Sequence, residues 1–269
     1  RDVERSRGLG DVYKRQGGNL MATYVISDIH GQYKMFLDLI DKIKLKDTDT
    51  LYILGDILDR GPHPIKALMK IMEMPNTICL AGNHEYMALQ CLPFLMKEIT
   101  EMSIDQLNEK MLNNLVIWQC NGSKTTLDEF RALDLDMKYE VIDFLNDLQL
   151  YKKLTVNGKN FLLVHGGLGN FSLEKALEDY EIEELVWSRA KYDVQYYTDV
   201  KLVTGHTPTQ KIKGNPRPGY VYRKNNHIAI DCGCNLKNGR LAAVCLDTEE
   251  EFYVCLLYTS PSPRDLSTS

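Results

Sequence analysis

Five times along this chain a short apolar run stops abruptly at polar residues. Val25-Ile26 ends at Asp28 and His30, Leu51 to Leu54 at Gly55-Asp56, and Ile78 to Leu80 at Gly82-Asn83-His84-Glu85. Phe161 to Val164 ends at His165, and Leu202-Val203 at Gly205-His206. Runs this short, rich in branched residues and closed by Gly or Asp, read as buried β-strands. Between the first three lie stretches of helical period: Phe36, Leu37, Ile40 and Ile43 within 33–44, then a helix over 64–73 opening on Pro64, which suits a first helical turn. Strand, helix, strand, helix, strand is the order of a parallel α/β sheet, and polar residues at the carboxyl ends of such strands line one crevice.

From His84 to about Leu148 the pattern turns helical. Leu89, Leu92, Met96 and Ile99 recur at steps of three and four, as do Ile104, Leu107, Met111, Leu115 and Trp118, and again Met137, Val141, Phe144 and Leu148. The spacing predicts a helical subdomain over about 84–148, with the Met and aromatic stripe read as core packing and Asn121-Gly122-Ser123 as a turn. The remainder is mostly β. A hairpin over 150–164 turns at Asn157-Gly158, a helical passage spans 173–187, and strands follow at 201–204, 220–222, 227–230, 241–246 and 251–254. Two packed sheets flanked by helices account for this count.

In an extended backbone residues i and i+2 project to one side, so Asp28 and His30 could grip one ion, while Gly31 lets the chain turn away. A turn that happens to carry an Asp and a His fits that segment equally well. Five strand ends that together deliver Asp28, His30, Asp56, Asn83, His165 and His206 are a different matter, since every one is an oxygen or imidazole ligand.

The motifs Asp28-Ile29-His30-Gly31, Gly55-Asp56 through Asp59-Arg60-Gly61, Gly82-Asn83-His84-Glu85, His165-Gly166-Gly167 and Gly205-His206-Thr207 resemble, in order, those of the calcineurin-like metallophosphoesterases. Within that family they resemble the serine/threonine phosphoprotein phosphatases of the bacterial and phage branch, over residues 24–231. Ser27 departs from the family's usual Gly. The resemblance implies an α/β (α+β, four-layer) architecture, two packed mixed β-sheets forming a sandwich flanked by helices. It implies two divalent ions, with Asp28 and His30 on one, Asn83, His165 and His206 on the other, and Asp56 bridging both. Such a pair can bring a bound water's pKa near neutrality, so that no Ser or Cys nucleophile is needed. A donor set without thiolate suits Mn²⁺ first, then Fe or Zn²⁺.

The same resemblance makes Arg60 a phosphate clamp, Arg189 of Trp187-Ser188-Arg189 a second one, and His84 the general acid, held in one orientation by Asp59. Glu85 reads as structural, Asp231 as support for the site, and His63 and His227 as surface or packing residues. The implied activity is hydrolysis of phosphoserine and phosphothreonine. The alternative is symmetrical dinucleoside polyphosphate hydrolysis, whose family usually lacks the Asp-Arg pair and has Asp where this chain has Glu85. A non-catalytic scaffold of the same fold is a third reading, opposed by intact Asp56, Arg60 and His84.

A chain of 269 residues, 44% hydrophobic and 26% charged, can bury one large core. The net charge of −5 argues against nucleic acid as a partner and leaves a phosphorylated protein or small phosphoester. No apolar run reaches membrane-spanning length. Seven scattered cysteines suit reduced thiols and a cytoplasmic setting, and Cys232-Gly233-Cys234 lacks the second pair a soft-metal site needs. Residues 1–20 and 255–269 read as non-native flanks resembling adaptor read-through, which would leave a single domain over 21–254 with the natural C-terminus missing or replaced.

Overall fold

The computed structural model of this chain describes residues 21–96 and 109–255. Residues 1–20 and 256–269 of the expected flanks lie outside these, as do Ile99, Ile104 and Leu107 of the helical stripe. The first sheet holds β1 (Thr23–Ile26), β2 (Thr50–Ile53) and β3 (Thr77–Cys79), linked by α1 (Tyr33–Ile43) and α2 (Pro64–Met72). These strands run parallel, as the strand–helix alternation predicts, and α3 (Asn83–Leu95) leaves the end of β3.

Among the described residues three more helices follow: α4 (Glu109–Cys120), α5 (Lys124–Ala132) and α6 (Leu135–Asn146). Then come β4 (Tyr151–Val156), β5 (Lys159–Val164), the short α7 (Ile182–Val186), β6 (Val200–Thr204), β7 (Tyr222–Lys224), β8 (His227–Ala229), β9 (Arg240–Cys245) and β10 (Glu251–Cys255). Sheet order is β10-β9-β1-β2-β3 in one layer and β4-β5-β6-β8-β7 in the other. Both are mixed: β9 and β10 join the first sheet antiparallel, while β5, β6 and β8 are parallel between antiparallel edges. Cys255, assigned to the foreign tail, pairs with Arg240 at the end of β10.

Period-two alternation sorts the strand side chains. Val25, Tyr52, Leu54, Phe161, Val203 and Val244 interleave between the sheets. Tyr24, Ile26, Leu51 and Ile53 face the other way, onto α1, α2 and the helical segment, with Phe36, Leu68, Trp118 and Val141.

Two elements differ from the sequence reading. The helical passage over 173–187 is a 3₁₀ turn at Leu177–Asp179 followed by α7 alone, because Ala176 is extended and the Glu181–Glu184 capping box starts the helix late. The strand expected at 220–222 is shifted to Tyr222–Lys224, since Asn225 and Asn226 both take positive φ and fix the hairpin register Lys224 to His227.

One carboxylate ties the first-sheet loops together. Buried Glu85, in the first turn of α3, accepts from Gly82 N and Asp56 N on Oε2, at 2.9 and 2.7 Å, and from Ile57 N and Leu58 N on Oε1, at 2.8 and 3.1 Å. The bond to Gly82 is half of a capping box, and the other three hold the loop after β2 against the start of α3. Burial pushes this carboxyl up, with Asp56 adding to it, and the amide bonds pull it back.

A glutamine here would turn its NH₂ toward N–H groups that now have an acceptor. Leaving buried donors unpaired costs about 1–3 kcal/mol each. Glu85→Gln should therefore lose about 2–5 kcal/mol in denaturant unfolding. A loss below about 1 kcal/mol would mean the four contacts do not hold the loops.

Candidate active site

The loops that carry the motifs are bent into backbone that L-residues seldom adopt. Asp28 (φ 53), His30 (φ 45), Asp56 (φ 54), Asp59 (φ 69), Arg60 (φ 67) and His206 (φ 61) all lie in the left-handed region. The sequence argument that Asp28 and His30 share a side because the chain is extended is therefore wrong. Strand β1 ends at Ile26, and the two residues sit in a turn pinned by Asp28 N to Gly55 O, His30 N to Asp56 O and Gly31 N to Ile57 O.

Asp56 lies at the centre. Donor atoms of His30, Asp56 and His84 form one group within 4.8 Å, and those of Asp56, His165 and His206 a second. His30 Nε2 lies 3.5 Å from Asp56 Oδ2, and His165 Nε2 lies 3.3 Å from Asp56 Oδ1. Asn83 Oδ1 is 3.1 Å from His165 Nε2. Asp28 is near but turned aside. Its carboxylate accepts from the Ser27 hydroxyl and from His206 N at 3.0 and 3.1 Å, so it braces the His206 loop.

Backbone carbonyls set the imidazole tautomers. His30 Nδ1 contacts Leu58 O at 3.0 Å and His165 Nδ1 contacts Leu54 O at 2.5 Å, which leaves each Nε2 directed at Asp56. Burial drives His30 well below and His206 down to about 3. At His165 burial also opposes the charge, but the Asp56 carboxylate prevails and raises it to about 10. Asp56 in turn is held well below the carboxylate range, its burial outweighed by His165 and His84. Asp28 is raised by burial and then by Asp231, and Asp231 is itself pushed up to about 6 by burial. A carboxylate shared among imidazoles, with two further buried carboxyls close by, fits first-row divalent cations.

Arg60 spans the first group. Its Nη1 lies 2.8 Å from His30 Nε2 and its Nη2 2.8 Å from His84 Nε2. A guanidinium offers only N–H donors, so both imidazoles present lone pairs there and carry their proton on Nδ1. His84 Nδ1 meets Asp59 Oδ2 at 2.6 Å, both groups fully buried. Arg189 is exposed at the His206 loop, donating from Nη1 to Thr207 Oγ1 at 3.1 Å and to His206 O at 3.4 Å.

Other positions read differently from the sequence. Trp118 is in the core as expected, yet its indole N–H also reaches Asp59 Oδ2 at 2.8 Å, and Thr126 Oγ1 reaches Asp59 Oδ1 at 2.5 Å. Neither contact has a sequence signal, since the stripe around Trp118 looks the same with or without it. His227 is buried against Tyr192 with Nε2 on Thr204 Oγ1, and His63 is exposed on Glu129. Cys234 is a buried thiol donating to Asp28 O at 2.8 Å, and its neighbour Cys232 is also a free thiol.

Fold and donor set together define a metallophosphoesterase. The chain belongs to the calcineurin-like phosphoesterases, whose family profile matches residues 21–244, and that family uses a dinuclear metal centre. It is 28% identical over 170 residues to a symmetrical bis(5'-nucleosyl)-tetraphosphatase of Nitrosomonas europaea, covering 62% of this chain and 53% of that protein. The protein of the same name in Nitrosospira multiformis is 28% identical over 159 residues, 58% of this chain and 47% of its own. This chain thus spans about half the length of these curated relatives. Among solved structures it is similar to a putative diadenosine tetraphosphatase (TM-score 0.59, 17% identity, 88% of this chain and 94% of that one). It is also similar to a protein serine/threonine phosphatase from Saccharomyces cerevisiae (TM-score 0.52, 15% identity, 84% and 72%). At these identities the structural likeness shows the fold alone. No helix among the described residues is long and apolar enough to cross a membrane.

Because His165 holds a proton up to about pH 10, a cation must displace it to use that ring. Mn²⁺ affinity measured by calorimetry should rise with pH below that value, by about tenfold per unit for one displaced proton. Affinity independent of pH from 6.5 to 8 would show that the cation displaces no proton from His165.

Proposed function

We propose that this protein is a two-metal phosphohydrolase that cleaves symmetrical dinucleoside tetraphosphates into nucleoside diphosphates. The observation that carries the hydrolytic reading is Asp56, one carboxylate facing imidazoles of two separate donor groups. The substrate reading is supported by the likeness to the two curated tetraphosphatases. His30 and Asp56, with Asp28 beside them, would hold one divalent ion, and Asp56, Asn83, His165 and His206 the other. Such a pair supplies charge neutralisation at the phosphoryl group and an activated water, with Mn²⁺ as our first choice of ion.

The chain's own residues bind the phosphate and manage the proton. The two Arg60 N–H groups now bonded to His30 and His84 are the fork that would take two phosphoryl oxygens, and Arg189 would take another from the His206 side. Once Arg60 turns to the phosphate, His84 Nε2 would be free to take up a proton from solvent, with Asp59 on Nδ1 holding the resulting imidazolium, and to give that proton to the leaving oxygen.

That last contact favours a second reading, hydrolysis of phosphoserine or phosphothreonine. A nucleoside diphosphate departs through a weakly basic phosphate oxygen and gains little from an acid, whereas an alkoxide leaves only with a proton. A buried His84–Asp59 pair at 2.6 Å is what the harder departure demands.

Side-by-side kcat/KM values on a dinucleoside tetraphosphate and a phosphoserine peptide separate the two. The expected outcome is Mn²⁺-dependent release of nucleoside diphosphate, abolished by chelation and restored by metal. A higher value on the peptide moves the assignment to the second reading, and full turnover after complete metal removal would overturn both.

His84→Asn should lower kcat by roughly 10²–10⁴ on an alkyl phosphate such as phosphoserine. Nitrophenyl phosphate, whose leaving group needs no proton, should lose much less. Equal losses with a parallel fall in bound metal would make His84 a ligand.

A further inference from the structure

Helices α4 and α5 and the turn between them reach the site through hydrogen bonds that converge on Asp59 and Arg60. Trp118 Nε1 donates to Asp59 Oδ2 at 2.8 Å, the same oxygen that meets His84 Nδ1. Thr126 Oγ1 donates to Asp59 Oδ1 at 2.5 Å and accepts from Asp59 N at 3.0 Å. Arg60 N donates to Gly122 O at 3.0 Å. Asp59, His84, Trp118 and Thr126 are each 0% exposed, so water does not compete for these bonds.

This pattern exceeds what packing requires. A buried indole needs one acceptor, and nearby helix carbonyls could supply it. Here it goes instead to the carboxylate beneath the proton donor. Thr126 closes a ring with the main chain and side chain of one residue, which fixes the Asp59 carboxylate relative to its own backbone. That backbone is in the left-handed region at Asp59 and Arg60 both, where nothing in the intrinsic preference of either residue would hold it. With both oxygens engaged from α4 and α5, the carboxylate has one remaining task, to receive the His84 N–H.

We infer that Trp118 and Thr126 are positioning residues of the reaction, through which the helical segment aligns Asp59 and hence His84 with the leaving oxygen. The inference rests on the reading of His84 as proton donor. It turns a helix pair that the sequence assigned to core packing into part of the catalytic support. Loss of either donor would loosen the Asp59 carboxylate and with it the aim of His84, with the phosphate clamps and the Asp56 donor groups unchanged. The defect would therefore fall on proton delivery.

The test uses Trp118→Phe, which keeps the aromatic bulk, Thr126→Val, which keeps the shape, and Thr126→Ser, which restores the hydroxyl. Each Mn²⁺-loaded variant is assayed beside His84→Asn on a phosphoserine peptide and on nitrophenyl phosphate, with Tm and bound metal recorded. Trp118→Phe and Thr126→Val should lose on the order of 10- to 100-fold in kcat on the peptide, as supporting contacts of this kind commonly do. They should lose under about threefold on nitrophenyl phosphate at unchanged KM, and Thr126→Ser should recover most of the loss. Equal losses on both substrates, or losses that follow Tm or metal content, overturn the inference. Should Trp118→Phe fail to fold, the comparison of Thr126→Val with Thr126→Ser decides alone. If His84→Asn shows the leaving-group bias and these variants do not, positioning fails and the proton-donor reading stands. If His84→Asn shows no bias, both fall.

Discussion

The active-site loops depend on backbone that the chain would not choose for itself. Six functional-type residues sit at positive φ, and each such residue is disfavoured by roughly 1–2 kcal/mol relative to ordinary helical or extended backbone. Hydrogen bonding to main-chain N–H groups helps to hold them, and the Glu85 carboxylate gathers four such groups, Asp56 N among them. Four amides from two loops meet on two oxygens inside the protein, where water cannot substitute. Asp28 does the equivalent for the His206 loop, accepting from His206 N across the junction of the two sheets. Carboxylates thus do two kinds of work in this crevice, some facing the ions' places and others fastening the loops that aim them.

Much of this was legible in the amino-acid order. Apolar runs ending in Gly, Asp, Asn and His revealed the strands and the crevice because a parallel sheet must place its connecting loops at the strand ends. The Gly82-to-Glu85 spacing revealed a helix start, and Asn157-Gly158 a hairpin. The failures have local causes. Period-two reasoning gives Asp28 and His30 an extended geometry only if the strand runs through them, and it stops at Ile26. Residues 173–187 carried enough apolar spacing to suggest one helix, but side-chain capping at Glu181 delays it. The bonds of Trp118 and Thr126 to Asp59 join residues about sixty positions apart, and no pattern confined to one segment can encode them.

The substrate question shows how far motif letters reach. Asp59-Arg60 and Glu85 were the positions held to separate this chain from dinucleoside polyphosphate hydrolases. Glu85, however, bonds only backbone amides among its recorded partners, so its length serves loop geometry and says nothing about what enters the crevice. Its weight against the proposed dinucleotide reading therefore disappears. Asp59 keeps its weight for a physical reason, because its contact with His84 matters in proportion to how poor the leaving group is.

The donor residues are divided between distant parts of the chain. Asp28 to His84 come from the first sheet's loops and His165 and His206 from the second's, while β1 is flanked by β2 on one side and β9 on the other. A ribosome making this chain from its amino end therefore releases half a metal site long before the remaining ligands exist, and the first sheet stays open at its centre until residues 240–245 emerge. A complete donor set thus has to wait until the second sheet's loops have emerged. Cutting the polypeptide between α6 and β4 would yield two fragments with partial ligand sets, so that restored metal uptake on mixing would report their reassembly.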